Sequence, residues 1–162
     1  MDRPKRKKNR LTGFDYSSAG KYFITICTHN KENSLSQIIV GDGSPVPQLT
    51  SIGKIVDKYI NCINDKYPSV FVDNYVIMPN HIHLLLAIAE NNTENTKISS
   101  VIGWFKYFVT KVYNADSIEK VPVFQRSYHD HIIRNDKSYQ MIYDYINNNP
   151  SVWYSDCYFS EQ

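Results

Sequence analysis

Apolar positions along the chain follow two spacings, and the switch between them marks the elements. Lys21 to Thr28 is rich in β-branched and aromatic residues and predicts a strand. A polar loop follows, and Gly41 to Pro47 (GDGSPVP) reads as turn chemistry. Thr50 or Ser51 caps a helix in which Ile52, Ile55, Val56, Tyr59, Ile60 and Ile63 recur at helical spacing until Tyr67-Pro68. Val70 to Met78 alternates as a second strand, Pro79-Asn80 is a tight turn, and His81 to Ala89 is a near-continuous apolar third strand, so the pair predicts a hairpin. Ser99 or Ser100 caps a second helix that buries Val101, Ile102, Phe105, Phe108, Val109 and Val112. A fourth strand falls at about Tyr128 to Ile133. Asn135 or Asp136 then caps a third helix with Tyr139, Ile142, Tyr143 and Ile146 on its apolar face, and Pro150 stops it.

Strand, helix, strand, strand, helix, strand, helix is the split βαβ, ferredoxin-like order. It predicts an α+β fold: a four-stranded antiparallel sheet, two helices on one face, and a C-terminal helix near the open face. With 162 residues, one domain is expected over 16–162, preceded by a basic arm over 1–15.

Charge changes the picture at one end only. Residues 1–10 carry +5 and the remaining 152 carry −3, which suggests a polyanion partner for the arm or, equally, a solvated tail. The chain is 42% hydrophobic, too apolar for a disordered protein, and no apolar run approaches the roughly 20 residues of a spanning helix. The charged start predicts no secretory signal. Cys27, Cys62 and Cys157 are widely spaced, with neither a disulfide framework nor a CxxC pair, so a reducing, cytoplasmic compartment is expected.

His81 and His83 occupy positions i and i+2 of a strand, so both rings share one face while Ile82 points into the core. They form either a chelating pair or two partly exposed histidines at a hairpin mouth. Tyr145 and Asn149, four apart, share one side of the third helix at the flank of its apolar stripe. Asn149 has an amide oxygen to offer a metal, and Tyr145 a phenol beside it. The plainer alternatives are a packing tyrosine and a helix C-cap. A second pair, His129 and His131, flanks Asp130 on the fourth strand and competes for the metal role; it reads as structural or DNA-contacting. No GxSxG elbow and no GK[ST] phosphate loop is present.

The segment Tyr75 to Leu86 (YVIMPNHIHLLL) resembles the His-hydrophobic-His motif of the HUH single-tyrosine transposases, the insertion sequence 200-like superfamily. Phe124 to Asn135 (FQRSYHDHIIRN) resembles a further block of those proteins. Asp144 to Pro150 (DYINNNP) is similar to the tyrosine helix of the REP-associated branch. Mobile members usually carry Gln at the position held here by Asn149. The resemblance runs from about Tyr22 to Trp153. It implies cleavage and rejoining of single-stranded or hairpin DNA at REP-type palindromes, through a 5′-phosphotyrosine on Tyr145. His81, His83 and Asn149 would then hold one divalent cation, Mg²⁺ or Mn²⁺. Phosphate contacts would come from Lys5, Arg6, Lys7, Lys8, Arg10, Lys106, Lys111, Arg126 and Arg134, with Tyr128 available for base stacking. A non-cleaving DNA-hairpin binder on the same fold is the alternative. No membrane partner is implied, and relatives act as monomers or homodimers.

Overall fold

A computed structural model describes residues 12–159. The basic-arm residues Lys5, Arg6, Lys7, Lys8 and Arg10 lie outside them. The elements run β1 (Gly20–Cys27), β2 (Ser36–Val40), β3 (Pro45–Leu49), α1 (Ser51–Asn61), α2 (Ile63–Lys66), β4 (Val70–Ile77), β5 (His81–Ile88), α3 (Ile98–Tyr113), β6 (His129–Ile133) and α4 (Asp136–Asn148). A 3-10 helix, Asn149–Ser155, continues from α4. The main sheet has the order β4-β5-β1-β6 and every neighbouring pair is antiparallel. This is the expected split βαβ sheet, with β1 and β4 running the same way on either side of β5.

Because β-strand side chains alternate, β5 is read twice. Ile82, Leu84, Leu86 and Ile88 face α1 and α3 in the larger core, together with Tyr22, Ile24 and Ile26 from β1. His81, His83 and Leu85 face the other way, toward α4. A bulge between Val72 and Asn74 resets the alternation in β4. Asp73 and Asn74 both reach α4 as a result. Asn74 Nδ2 donates to the Tyr143 carbonyl (3.3 Å) and to Asn147 Oδ1 (3.0 Å), and the Tyr139 hydroxyl donates to Asp73 Oδ2 (3.1 Å). Leu85, Val76, Met78, Ile133, Ile146 and Trp153 form a second, smaller core beneath α4.

Both expected caps on α1 and α4 are present: Thr50 Oγ1 accepts from Gly53 N and Asn135 Oδ1 from Ser138 N. Gly53 is demanded by packing, since a Cβ there would fall 2.0 Å from the Leu35 carbonyl oxygen. Three expectations fail. The segment read as loop and turn is a hairpin, β2–β3, whose strand pairs Pro45 with Val40 and Pro47 with Ile38. The second long helix starts at Ile98 after Lys97, with no side-chain cap, so neither Ser99 nor Ser100 is its cap. Val112, in the last turn of α3, is exposed rather than buried.

Candidate active site

The strand face turned toward α4 carries His81 and His83. Neither is a partly exposed residue of a hairpin mouth: both are buried. The cover comes from the C-terminal segment. The ring of Tyr158 lies 4.5 Å from that of His81, Trp153 lies 6.0 Å from it, and Tyr145 lies 5.3 Å from the His83 ring. The two imidazoles are 4.5 Å apart, centroid to centroid. Phe23, across β1, packs against both His83 and Tyr145.

Hydrogen bonds fix the polarity of the His81 ring. Asn80 Nδ2 donates to the Tyr158 carbonyl (2.8 Å) and to the Lys31 carbonyl (3.4 Å), so the amide must turn its oxygen toward His81. That oxygen lies 2.9 Å from His81 Nδ1, which therefore carries the proton. The lone pair is left on Nε2, a buried atom with no hydrogen-bond partner. His83 Nδ1 lies 2.9 Å from Thr25 Oγ1, and its Nε2 is 3.4 Å from the Tyr145 hydroxyl. The fully buried Asn149 completes the group. Its Nδ2 donates to Asp156 Oδ2 at 3.0 Å, and its Oδ1 is buried and unpartnered.

Burial keeps both imidazoles neutral. It pulls His81 down to about 4, against a smaller opposing pull from the charge of Asp156 and the Asn149 amide. His83 is pushed well below the usual range by burial and then by His81. The Tyr145 phenol is pushed up, first by burial, then by the charges of Asp156 and Cys157. Each buried polar atom without a partner costs on the order of 1–3 kcal/mol. Here His81 Nε2 and Asn149 Oδ1, both lone-pair acceptors, share the same pocket as His83 Nε2. Two imidazole nitrogens and an amide oxygen suit a borderline or hard divalent cation, so the residues present fit one. Among the described residues, no three His, Cys, Asp or Glu side chains gather to hold a metal.

The remaining sequence candidates separate by face. His129 and His131 are exposed on edge strand β6, and the register sets His129 opposite Thr25, on the same face as His83. Arg134 lines a cleft of about 460 Å³ beside β6, together with Tyr16, Asp130, His131, Asn135 and Ser138. Arg126 is exposed, and Tyr128 packs half-buried against the larger core. Lys106 and Lys111 stand on α3, across the sheet from the histidines. The Lys106 ammonium donates to the carbonyls of Gln125 and Arg126, and burial lowers its pKa. Lys111 lies over the rings of Tyr107 and Phe108.

Sequence reasoning missed Asn80, Thr25, Asp156 and Tyr158. Asn80 adjoins the His pair and was read only as a turn residue; the other three carry no local signal.

A family model described as "Transposase IS200 like" matches residues 46–149. An uncharacterized protein of Haemophilus influenzae is 38% identical over 170 residues, covering 93% of this chain and 91% of that one. Among solved structures, a REP-associated tyrosine transposase bound to a REP hairpin superposes with a TM-score of 0.64 at 22% identity, over 93% of this chain and 73% of that one. A second, described as a transposase from Deinococcus radiodurans, gives 0.53 at 14% identity, over 86% and 97%. At these identities the two structures establish likeness of fold. Among the described residues, no helix is long and apolar enough to cross a membrane.

Proposed function

The chain belongs to the IS200-like transposase family, and from that premise we propose that it cleaves and rejoins single-stranded DNA at hairpins of the REP type, through a phosphotyrosine on Tyr145. One observation carries the reading. A tyrosine hydroxyl stands 3.4 Å from His83 Nε2, in a pocket where His81 Nε2 and Asn149 Oδ1 are buried without partners.

His81, His83 and Asn149 would hold a divalent cation, Mg²⁺ or Mn²⁺. When bound, such an ion polarises the phosphate and offsets charge on the departing oxygen. The Tyr145 oxygen attacks the backbone phosphorus. The bond from phosphorus to the 3′ oxygen breaks, the phenol proton is lost, and the departing oxygen gains a proton. The products are a tyrosine 5′-phosphodiester and a free 3′-OH, which reverses the step without a nucleotide cofactor. Phe23 restrains the ring of Tyr145 with an edge contact at 6.1 Å. Arg126, Arg134 and the basic arm are the proposed phosphate contacts, and the exposed position of the two arginines supports that role.

Tyr143 is the rival nucleophile. It packs against Tyr139 at 6.1 Å and belongs to the half-buried stripe over the second core. The test is a denaturation-resistant adduct with a hairpin oligonucleotide bearing single-stranded flanks, in Mn²⁺. Tyr145→Phe should abolish the adduct and keep hairpin binding; Tyr143→Phe should keep both. An adduct that survives Tyr145→Phe overturns the assignment. A wild-type protein that binds the hairpin and never forms an adduct is a non-cleaving binder on this fold.

A further inference from the structure

The amide of Asn149 faces a choice. If its NH₂ turned toward His81, which it adjoins, it would donate to the lone pair of Nε2 and satisfy that orphaned atom, at the expense of setting Oδ1 against the Asp156 carboxylate. That orientation would close the pocket to any cation. The structure has the opposite orientation, with Nδ2 on Asp156 Oδ2 at 3.0 Å and Oδ1 left unpartnered.

An ionised carboxylate only accepts hydrogen bonds. Asp156 therefore pairs with the NH₂ and repels the amide oxygen, and a hydrogen bond to a charged group is stronger than the neutral one forgone. Asp156 is itself held: its Oδ1 accepts the Tyr158 backbone N–H at 2.7 Å. It does not join the two histidines as a third ligand in a cluster. We propose that Asp156 is a positioning residue that holds the Asn149 oxygen toward His81 and so keeps the pocket able to bind a cation. This inference rests on the metal set proposed above. It adds a residue that lies beyond the stretch matched by the family model, which ends at 149.

The logic resembles the orientation of a metal-binding histidine by a carboxylate behind it, where losing the outer partner weakens metal binding about 10- to 100-fold. Here the carboxylate orients an amide, whose two ends differ in sign.

The test is calorimetric titration of Mn²⁺ into the DNA-free protein. Asp156→Asn nearly preserves shape but lets either end of the side chain face Asn149. It should weaken Mn²⁺ about tenfold or more while the cooperative unfolding transition is retained. Exchanging the pair, Asn149→Asp with Asp156→Asn, should restore binding, because an aspartate at 149 presents an oxygen to either side. Wild-type affinity in Asp156→Asn overturns the proposal, and so does an exchanged protein as weak as the single variant. Should Asp156→Asn fail to fold, Asp156→Ser, whose hydroxyl can donate to or accept from the Asn149 amide, decides by the same loss of Mn²⁺ affinity. A wild-type protein that takes up no Mn²⁺ brings down the metal set and this inference together. Mn²⁺ uptake that ignores position 156 brings down this inference only.

Discussion

The two faces of the central sheet share their strands and differ in almost everything else. Toward α1 and α3, β5 contributes Ile82, Leu84, Leu86 and Ile88 to a continuous apolar core. Toward α4, the intervening residues contribute two buried histidines beneath aromatic rings. Area removed from water stabilises the first face at about 25 cal/mol per Å². The second buries polar atoms with incomplete partners, at an energetic cost. The difference teaches that one strand divides by parity: even-numbered positions of β5 hold the larger core together and odd-numbered ones near its start present the buried histidines of the candidate site.

Substitution on each face separates the two roles. The largest effect is expected from His81→Ala with His83→Ala, which should eliminate the DNA adduct while the protein still unfolds cooperatively. An undiminished adduct on a denaturing gel would break the comparison. Leu84→Ala, on the opposite face of the same strand, should lower stability by about 2–5 kcal/mol in urea titrations and leave Mn²⁺ affinity at the wild-type level. Loss of Mn²⁺ binding without loss of stability would contradict the division.

A smaller effect should appear with acid. The folded-state pKa of His81 lies near 4, below the ordinary 6.5, because the ring is buried. Between those values the unfolded chain binds a proton that the folded chain does not, so stability is full above about pH 6.5 and falls as pH drops toward 4. His83, also depressed, adds to the same trend. The loss attributable to His81 is on the order of 3 kcal/mol at most. Thermal melts from pH 7 to 4 should show it, and His81→Ala with His83→Ala should flatten the slope. A slope unchanged by that double variant would mean that other groups govern acid lability.

The larger core and the sheet order were legible because they rest on local signals: β-branched and aromatic residues in β1, alternation in β4, and helical spacing after Thr50 and Asn135. The β2–β3 hairpin was not, because Pro45 and Pro47 disguise a strand that lacks two N–H donors and survives only in a two-stranded ribbon. His81 and His83 were legible as a pair from their spacing. Their burial was not, since Trp153 and Tyr158, which cover His81, arrive from the far end of the chain. Asn80 shows the same limit. Its neighbour His81 is adjacent in sequence, but the carbonyl that orients it belongs to Tyr158, 78 residues away. Lys106 was read as a phosphate contact by charge alone, and sequence gave no sign that its ammonium would bind two backbone carbonyls.

That bond from Asn80 to the carbonyl of Tyr158 has a consequence for the order of events during synthesis. A chain leaving the ribosome from its N-terminus exposes β1, β4 and β5 well before residue 158. The sheet can therefore pair and bury its apolar side while His81 still lacks the contact that settles which nitrogen bears the proton. The polarity of the His81 ring is in this sense a late property of the nascent polypeptide, reached only after the scaffold that carries it.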